Sequence, residues 1–215
     1  MADHAHHDGA EHARAPASKD EVVHGYYQFL GLALKELLVE KGIVTGEEIR
    51  RAIEARDAIT PAMGARVVAR AWSDAAFKAR LLADGAAAVK ELGIEPGALH
   101  LVVVENTPKV HNVIVCTLCS CYPRNVLGLP PSWYKSREYR SRVVREPREV
   151  LAEFGTELGA GVEVRVHDST ADMRYLVLPM RPAGTDSLGE DELAALVTRD
   201  CMIGVAVAGN RVGPR

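Results

Sequence analysis

Apolar residues recur at helical spacing through the first hundred positions and at strand spacing beyond them, and this change of period divides the chain. Between residues 20 and 41, Val22, Tyr26, Phe29, Leu30, Ala33, Leu34, Leu37 and Leu38 form one helical stripe, with Gly42 as its stop. Thr45 and Glu48 form a capping box that opens a second helix to about residue 58, and Pro61 ends it. Residues 64–92 are expected as helix in pieces, with Ser73 as a cap before Asp74 and Gly93 as the stop. From there the runs 99–105 and 110–115 are rich in Val and read as strands, as do 162–167 and 173–178. Pro130 and Pro131 introduce a short helix over 132–140, and Pro147 suits the first turn of another that ends near 155–159. Ser187 with Glu190 is read as a capping box for a helix to about 198, and 202–208 as a last strand. The pattern gives an α+β chain: a tail over 1–19, a helical arm over 20–95 and an α+β domain over 96–215.

Composition narrows the class. The 215 residues are 47% apolar and 26% charged, which suits a soluble globular chain with a buried core. A net charge of −3 leaves no basic excess for neutralising phosphates, so nucleic acid is not expected as a partner. No apolar run approaches the roughly 18–20 residues of a membrane span, and the N-terminus lacks the apolar centre of a signal peptide, so the expected location is the cytoplasm. The tail 1–19 holds His4, His6, His7 and His12 without apolar periodicity and is expected to be disordered, either collecting metal weakly or merely solubilising the chain.

The chemistry is concentrated in the cysteines. Cys116, Cys119 and Cys121 stand within six residues, and Cys201 lies far downstream in an apolar stretch where burial is expected. Four-cysteine zinc sites usually present two separated C-x2-C pairs, which this chain lacks. The C-x-C part offers something else. If the amides of Ser120 and Cys121 deprotonate, Cys119 sulfur, the two nitrogens and Cys121 sulfur can wrap an ion in a plane through one six-membered and two five-membered chelate rings. Cys116 can then supply an axial thiolate, leaving one octahedral position open for catalysis. Amidate and thiolate suit a low-spin trivalent ion better than zinc, which gains nothing from a planar field. Spacing alone leaves a structural zinc or an iron–sulfur site open beside a catalytic metal, although a cluster needs a fourth cysteine and only Cys201 remains.

The residues around the cysteines carry a family likeness. The stretch 102–123, VVVENTPKVHNVIVCTLCSCYP, resembles the nitrile hydratase α subunit, as do LGLPPSWYK at 127–135, YRSRVVREPR at 139–148 and YLVLPMRPAGT at 175–185. VTRDCMIGV at 197–205 and GARVVARAW at 64–72 match as well, so the likeness spans about residues 30–208. It implies a layered α/β/β/α domain and a nitrile-hydrating enzyme with a non-corrin Co(III), or non-haem Fe(III), held by Cys116, Cys119, Ser120 and Cys121. Thr117 stands where cobalt members carry Thr and iron members Ser. The likeness also implies oxidation of Cys119 to sulfinate and Cys121 to sulfenate, which weakens sulfur donation and sharpens the ion's acidity. Cys121 and Cys119 are thus the implied catalytic residues; the implied partners are a β subunit (or separate β and γ chains), a small nitrile and a cobalt-delivery activator protein.

One departure bears on substrate. Cobalt members carry Trp-Pro where this chain has Arg124-Asn125, and arginine there also occurs in thiocyanate hydrolase γ subunits, which share the cysteine claw. A cation near the site favours a polar or anionic substrate, unless Arg124 turns away to pair with a carboxylate. Glu105 and His111 are candidates for a hydrogen-bond network behind the claw or for a structural polar pair; Tyr122 for the pocket wall or for packing. Asp168, Ser169 and Thr170 read as a turn, Arg142 and Arg145 as a partner-facing or solvated basic stretch, and Trp133 and Tyr134 as core or interface anchors. Three functions follow: nitrile hydration, thiocyanate hydrolysis, or a structural zinc-binding interaction module.

Overall fold

A computed structural model of the protein describes residues 19–98 and 100–209, with side chains from Gly25 onward. Of the predicted tail, residues 1–18, with His4, His6, His7 and His12, lie outside the described residues. The chain divides into two compact units, Met1–Ile53 and Glu54–Arg215.

In the first unit, helix α1 (Lys19–Glu40) is followed by the start of α2 (Gly46–Asp57). Gly42 turns the chain with a positive φ of 66°, and the predicted capping box closes reciprocally: Thr45 amide to Glu48 Oε2 at 2.7 Å, Glu48 amide to Thr45 Oγ1 at 3.1 Å. The apolar stripe of α1 is not buried: Tyr26, Phe29, Leu30, Leu34 and Leu37 are exposed.

The second unit begins with α3 (Pro61–Ser73), α4 (Ala75–Ala83) and α5 (Gly85–Lys90). Pro61 occupies the first helical turn, where its missing amide costs nothing. The cap of α4 is Asp74, whose Oδ1 accepts from the amides of Ala76 and Phe77 at 2.9 Å; Ser73, predicted for that role, instead returns its hydroxyl to Ala69 carbonyl at 3.0 Å.

Four strands follow in two parallel pairs. β1 (His100–Glu105) lies beside β4 (Met173–Leu178), and β2 (Val110–Val115) beside β3 (Glu163–Asp168). β2 also lies against β1 and β4; α4 and α5 pack on β1, α11 (Arg199–Ile203) on β4, and α9 (Pro147–Glu153) on β3. Helices therefore cover the strand pairs from outside, and strands such as β2, buried along nearly their whole length, read as continuous apolar runs. Val113, Ile114, Leu176 and Val177 of the strands share one core with Val67, Phe77 and Leu81 of the helices.

Two expectations are corrected. The run 202–208 is not a strand: Thr198 Oγ1 caps the Cys201 amide at 3.3 Å, α11 follows, and Gly204 turns the chain at φ +93°. That glycine lies so close to β2 that a Cβ there would stand 2.0 Å from Asn112 carbonyl, so the apolar run reflects burial and not pairing. The helix expected from Ser187 starts later, because Leu188 amide turns back to Thr185 carbonyl and the Gly189 amide takes Glu192 Oε2 at 2.9 Å; it spans only Glu190–Ala194, as α10. The predicted helix 132–140 is interrupted at Ser136, giving α7 (Ser132–Lys135) and α8 (Arg137–Arg142).

Candidate metal centre

The cysteine run leaves the C-terminal end of β2. Cys116 is buried at the strand's end, Cys121 is half-buried and Cys119 is exposed, so the three span the depth of the surface. Their sulfurs lie within 4.8 Å of one another, with Cys116–Cys119 at 3.5 Å and Cys119–Cys121 at 3.3 Å. Two sulfurs about 2.3 Å from one ion stand about 3.3 Å apart at a right angle and about 3.8 Å apart at a tetrahedral angle. The 3.3 Å pair matches neighbouring corners of a square or octahedron, while the 3.5 Å pair falls midway between that spacing and the tetrahedral one. Backbone also points inward: the Cys119 amide donates to Cys116 Sγ at 3.3 Å. The sulfurs of Cys116, Cys119 and Cys121 could thus hold one ion.

The thiols differ electrically. Hydrogen bonds from Cys121 and then from the Ser120 backbone bring Cys119 down to about 7. Burial, and next the Cys119 neighbour, push Cys121 up to about 12. Cys119 is the thiolate available near neutrality, while Cys121 ionises when an ion displaces its proton.

Three elements brace the loop. Asp168, at the end of β3, accepts from the Thr117 amide at 2.9 Å and the Thr117 hydroxyl at 2.5 Å. Arg140 of α8 donates to Thr117 carbonyl at 3.3 Å. Fully buried Tyr134 of α7 donates to Cys121 carbonyl at 2.9 Å, and Tyr139 of α8 to Ile114 carbonyl at 2.7 Å. Sequence reasoning missed Asp168 and Arg140 as supports; the parallel register setting Val115 opposite Asp168 is the signal that reveals the first.

Other candidates lie elsewhere. Glu105 pairs with Lys78 of α4. His111 opens β2, about 17 Å of strand from the claw, and belongs to a separate buried network. Its Nε2 bonds Gly204 carbonyl at 2.7 Å, Asn106 amide approaches its Nδ1 at 3.4 Å, and Asn106 Oδ1 accepts from Asn112, which in turn takes His167 Nε2 at 2.8 Å. Glu105 and His111 are thus structural rather than partners of the claw. Tyr122 is buried edge-on to Tyr134, with ring centroids 5.2 Å apart. Trp133 packs between Tyr139 and Phe154 at 4.9 and 4.7 Å, as a core anchor. Arg142 is taken up within the chain by Glu138, Glu146 and Glu153, and Arg145 donates to Ser141 carbonyl at 3.0 Å. Arg124 begins the one-turn helix α6 (Arg124–Leu127); it is exposed and pairs with no carboxylate among the described residues.

A family model described as the nitrile hydratase alpha chain matches residues 26–206. The cobalt-containing nitrile hydratase subunit alpha of Pseudonocardia thermophila is 56% identical over 181 residues, covering 82% of this chain and 88% of that one. Thiocyanate hydrolase subunit gamma of Thiobacillus thioparus is 44% identical over 193 residues, covering 84% and 79%. Among solved structures, a double mutant of the Fe-type nitrile hydratase from Comamonas testosteroni superposes with a TM-score of 0.79 at 46% identity, covering 86% of this chain and 91% of that one.

Proposed function

We propose, from the premise that this chain belongs to the nitrile hydratase α-chain family, that it is the metal-carrying subunit of an enzyme converting a nitrile to its amide at a cobalt(III) centre. The carrying observation is the convergence of three sulfurs within 4.8 Å of one another, with the backbone nitrogens of Ser120 and Cys121 along the chain between the last two. Cys116, Cys119 and Cys121 would give thiolates, and Ser120 and Cys121 their backbone nitrogens. A trivalent ion bound there supplies Lewis acidity for polarising a C≡N group or lowering the pKa of water.

The chain's own residues supply the rest. Asp168, Arg140 and Tyr134 fix the loop's backbone so that the sulfurs are set before an ion arrives. Exposure and a depressed thiol pKa make Cys119 the sulfur most open to oxidation, in keeping with a sulfinate there. Cys121, as sulfenate, would present an oxygen as nucleophile or base towards the nitrile carbon. The similarity to cobalt-containing nitrile hydratase subunits supports cobalt over iron. The exposed apolar face of α1 suits burial by a β subunit, alone or with a γ chain, and an activator protein would deliver cobalt. No described helix is long and apolar enough to cross a membrane, and the four cysteines are free; we place the enzyme in the reducing cytoplasm.

The test is paired metal analysis and assay of the purified assembly. One cobalt per chain and amide formation from an aliphatic nitrile are expected; one zinc per chain with neither cobalt nor iron overturns the enzyme reading in favour of an interaction module. The unpaired Arg124 favours a second reading, thiocyanate hydrolysis, which assay with thiocyanate beside the nitrile separates.

A further inference from the structure

Beside the claw, the turn before β1 and the segment after Cys121 enclose a cavity of about 280 Å³. That is close to the small end of ligand pockets, roughly 300–1,000 Å³. Its walls are largely apolar, formed by Pro96, Leu101, Tyr122 and Val126, and its charged members are Arg124 and Arg174. Among the described residues, no carboxylate lines it. One terminal nitrogen of Arg174 is held by the carbonyls of Thr170, Ala171 (3.2 Å) and Met173 (3.0 Å), which fixes the guanidinium and leaves its other nitrogens without a partner among the described residues. Arg124, one-turn helix included, is likewise without an acidic partner. Arg124 and Arg174 both line this small space, and a planar carboxylate can accept from two guanidiniums. The cavity adjoins the metal loop, because Tyr122 in its wall follows Cys121 directly.

The geometry points to a subsite for the carboxylate of an anionic substrate, so that the preferred nitriles are short cyanocarboxylates whose acid group lies between Arg124 and Arg174. The inference rests on the nitrile-hydrating reading above and sharpens it. Methylenes of such a substrate would lie along Leu101, Tyr122 and Val126, in the wall that Tyr122 shares with the metal loop.

The test measures equilibrium binding of 4-cyanobutyrate and its neutral methyl ester to the assembled enzyme by calorimetry, with and without metal, and hydration of both. The acid should bind at least tenfold more tightly than the ester in both metal states. Arg124→Gln and Arg174→Gln should each remove most of that preference, whereas Arg165→Gln, on an exposed pair with Glu163, should keep it. Equal affinity for acid and ester, or a preference unchanged in both cavity variants, overturns the subsite. If both nitriles are hydrated without discrimination, only this inference fails; if neither is hydrated, the functional reading fails, and the calorimetry still decides whether the cavity holds a carboxylate.

Discussion

Asp168 holds Thr117 with both carboxylate oxygens, one on the amide at 2.9 Å and one on the hydroxyl at 2.5 Å. Because Asp168 closes β3 and Thr117 lies just beyond β2, the clamp ties the first turn of the cysteine loop to the paired strands.

Replacing Asp168 by Ala leaves the cysteines intact but frees that turn. Supports of this kind are typically worth 10–100-fold in metal affinity or activity. We expect a loss of about that size in kcat, with less metal retained after dialysis against a chelator and little change in thermal midpoint. Unchanged metal retention would show that the clamp does not position the loop.

Tyr134→Phe keeps the buried ring and removes only the hydroxyl that serves Cys121 carbonyl. The orphaned acceptor should cost about 1–3 kcal/mol, read as a shift in urea midpoint at constant slope. Activity should fall further than stability alone explains, since the carbonyl belongs to a ligand residue.

Gly204→Ala should be among the most disruptive single substitutions in the chain. Its φ of +93° disfavours any side chain, and the new methyl would collide with Asn112 carbonyl of β2. We expect a loss of roughly 3–5 kcal/mol, or failure to accumulate folded. Near-native stability in a urea titration would contradict the close approach.

His111 gives stability a pH dependence of known sign. Burial lowers its pKa below the ordinary 6.5, outweighing the Gly204 carbonyl bond that raises it. Its folded form binds a proton less readily than its unfolded form, so its contribution is complete above pH 6.5 and is lost as pH falls towards the lowered value. His167, lowered by burial and then by Arg165, acts in the same direction. Urea midpoints should fall between pH 7.5 and 5.5, and less steeply in His111→Gln; equal slopes would remove His111 as a source.

Local signals were legible wherever cause and effect lie within a turn of each other. Thr45 with Glu48, Pro147 at the first turn of α9 and the positive-φ stops at Gly42 and Gly93 are of this kind. The cluster of Cys116, Cys119 and Cys121 was legible too, because residues so near in sequence bring their sulfurs together whatever the rest of the chain does. What escaped depends on distant chain. The run after Cys201 looks like a strand until β2 is seen to force a left-handed turn at Gly204, and Asp168 looks like an ordinary turn residue until β3 lies beside β2. Glu105 was linked to the site by its position in sequence, yet its partner is Lys78 on a helix.

The Thr117–Asp168 bond joins residues 51 positions apart. A peptide cut from 116–121 would carry every donor atom yet lack this distant anchor, and would be free to relax around a tetrahedral ion such as zinc. In the proposed centre, the choice of ion would thus belong to the finished topology, available only once the crossover from β2 to β3 has closed.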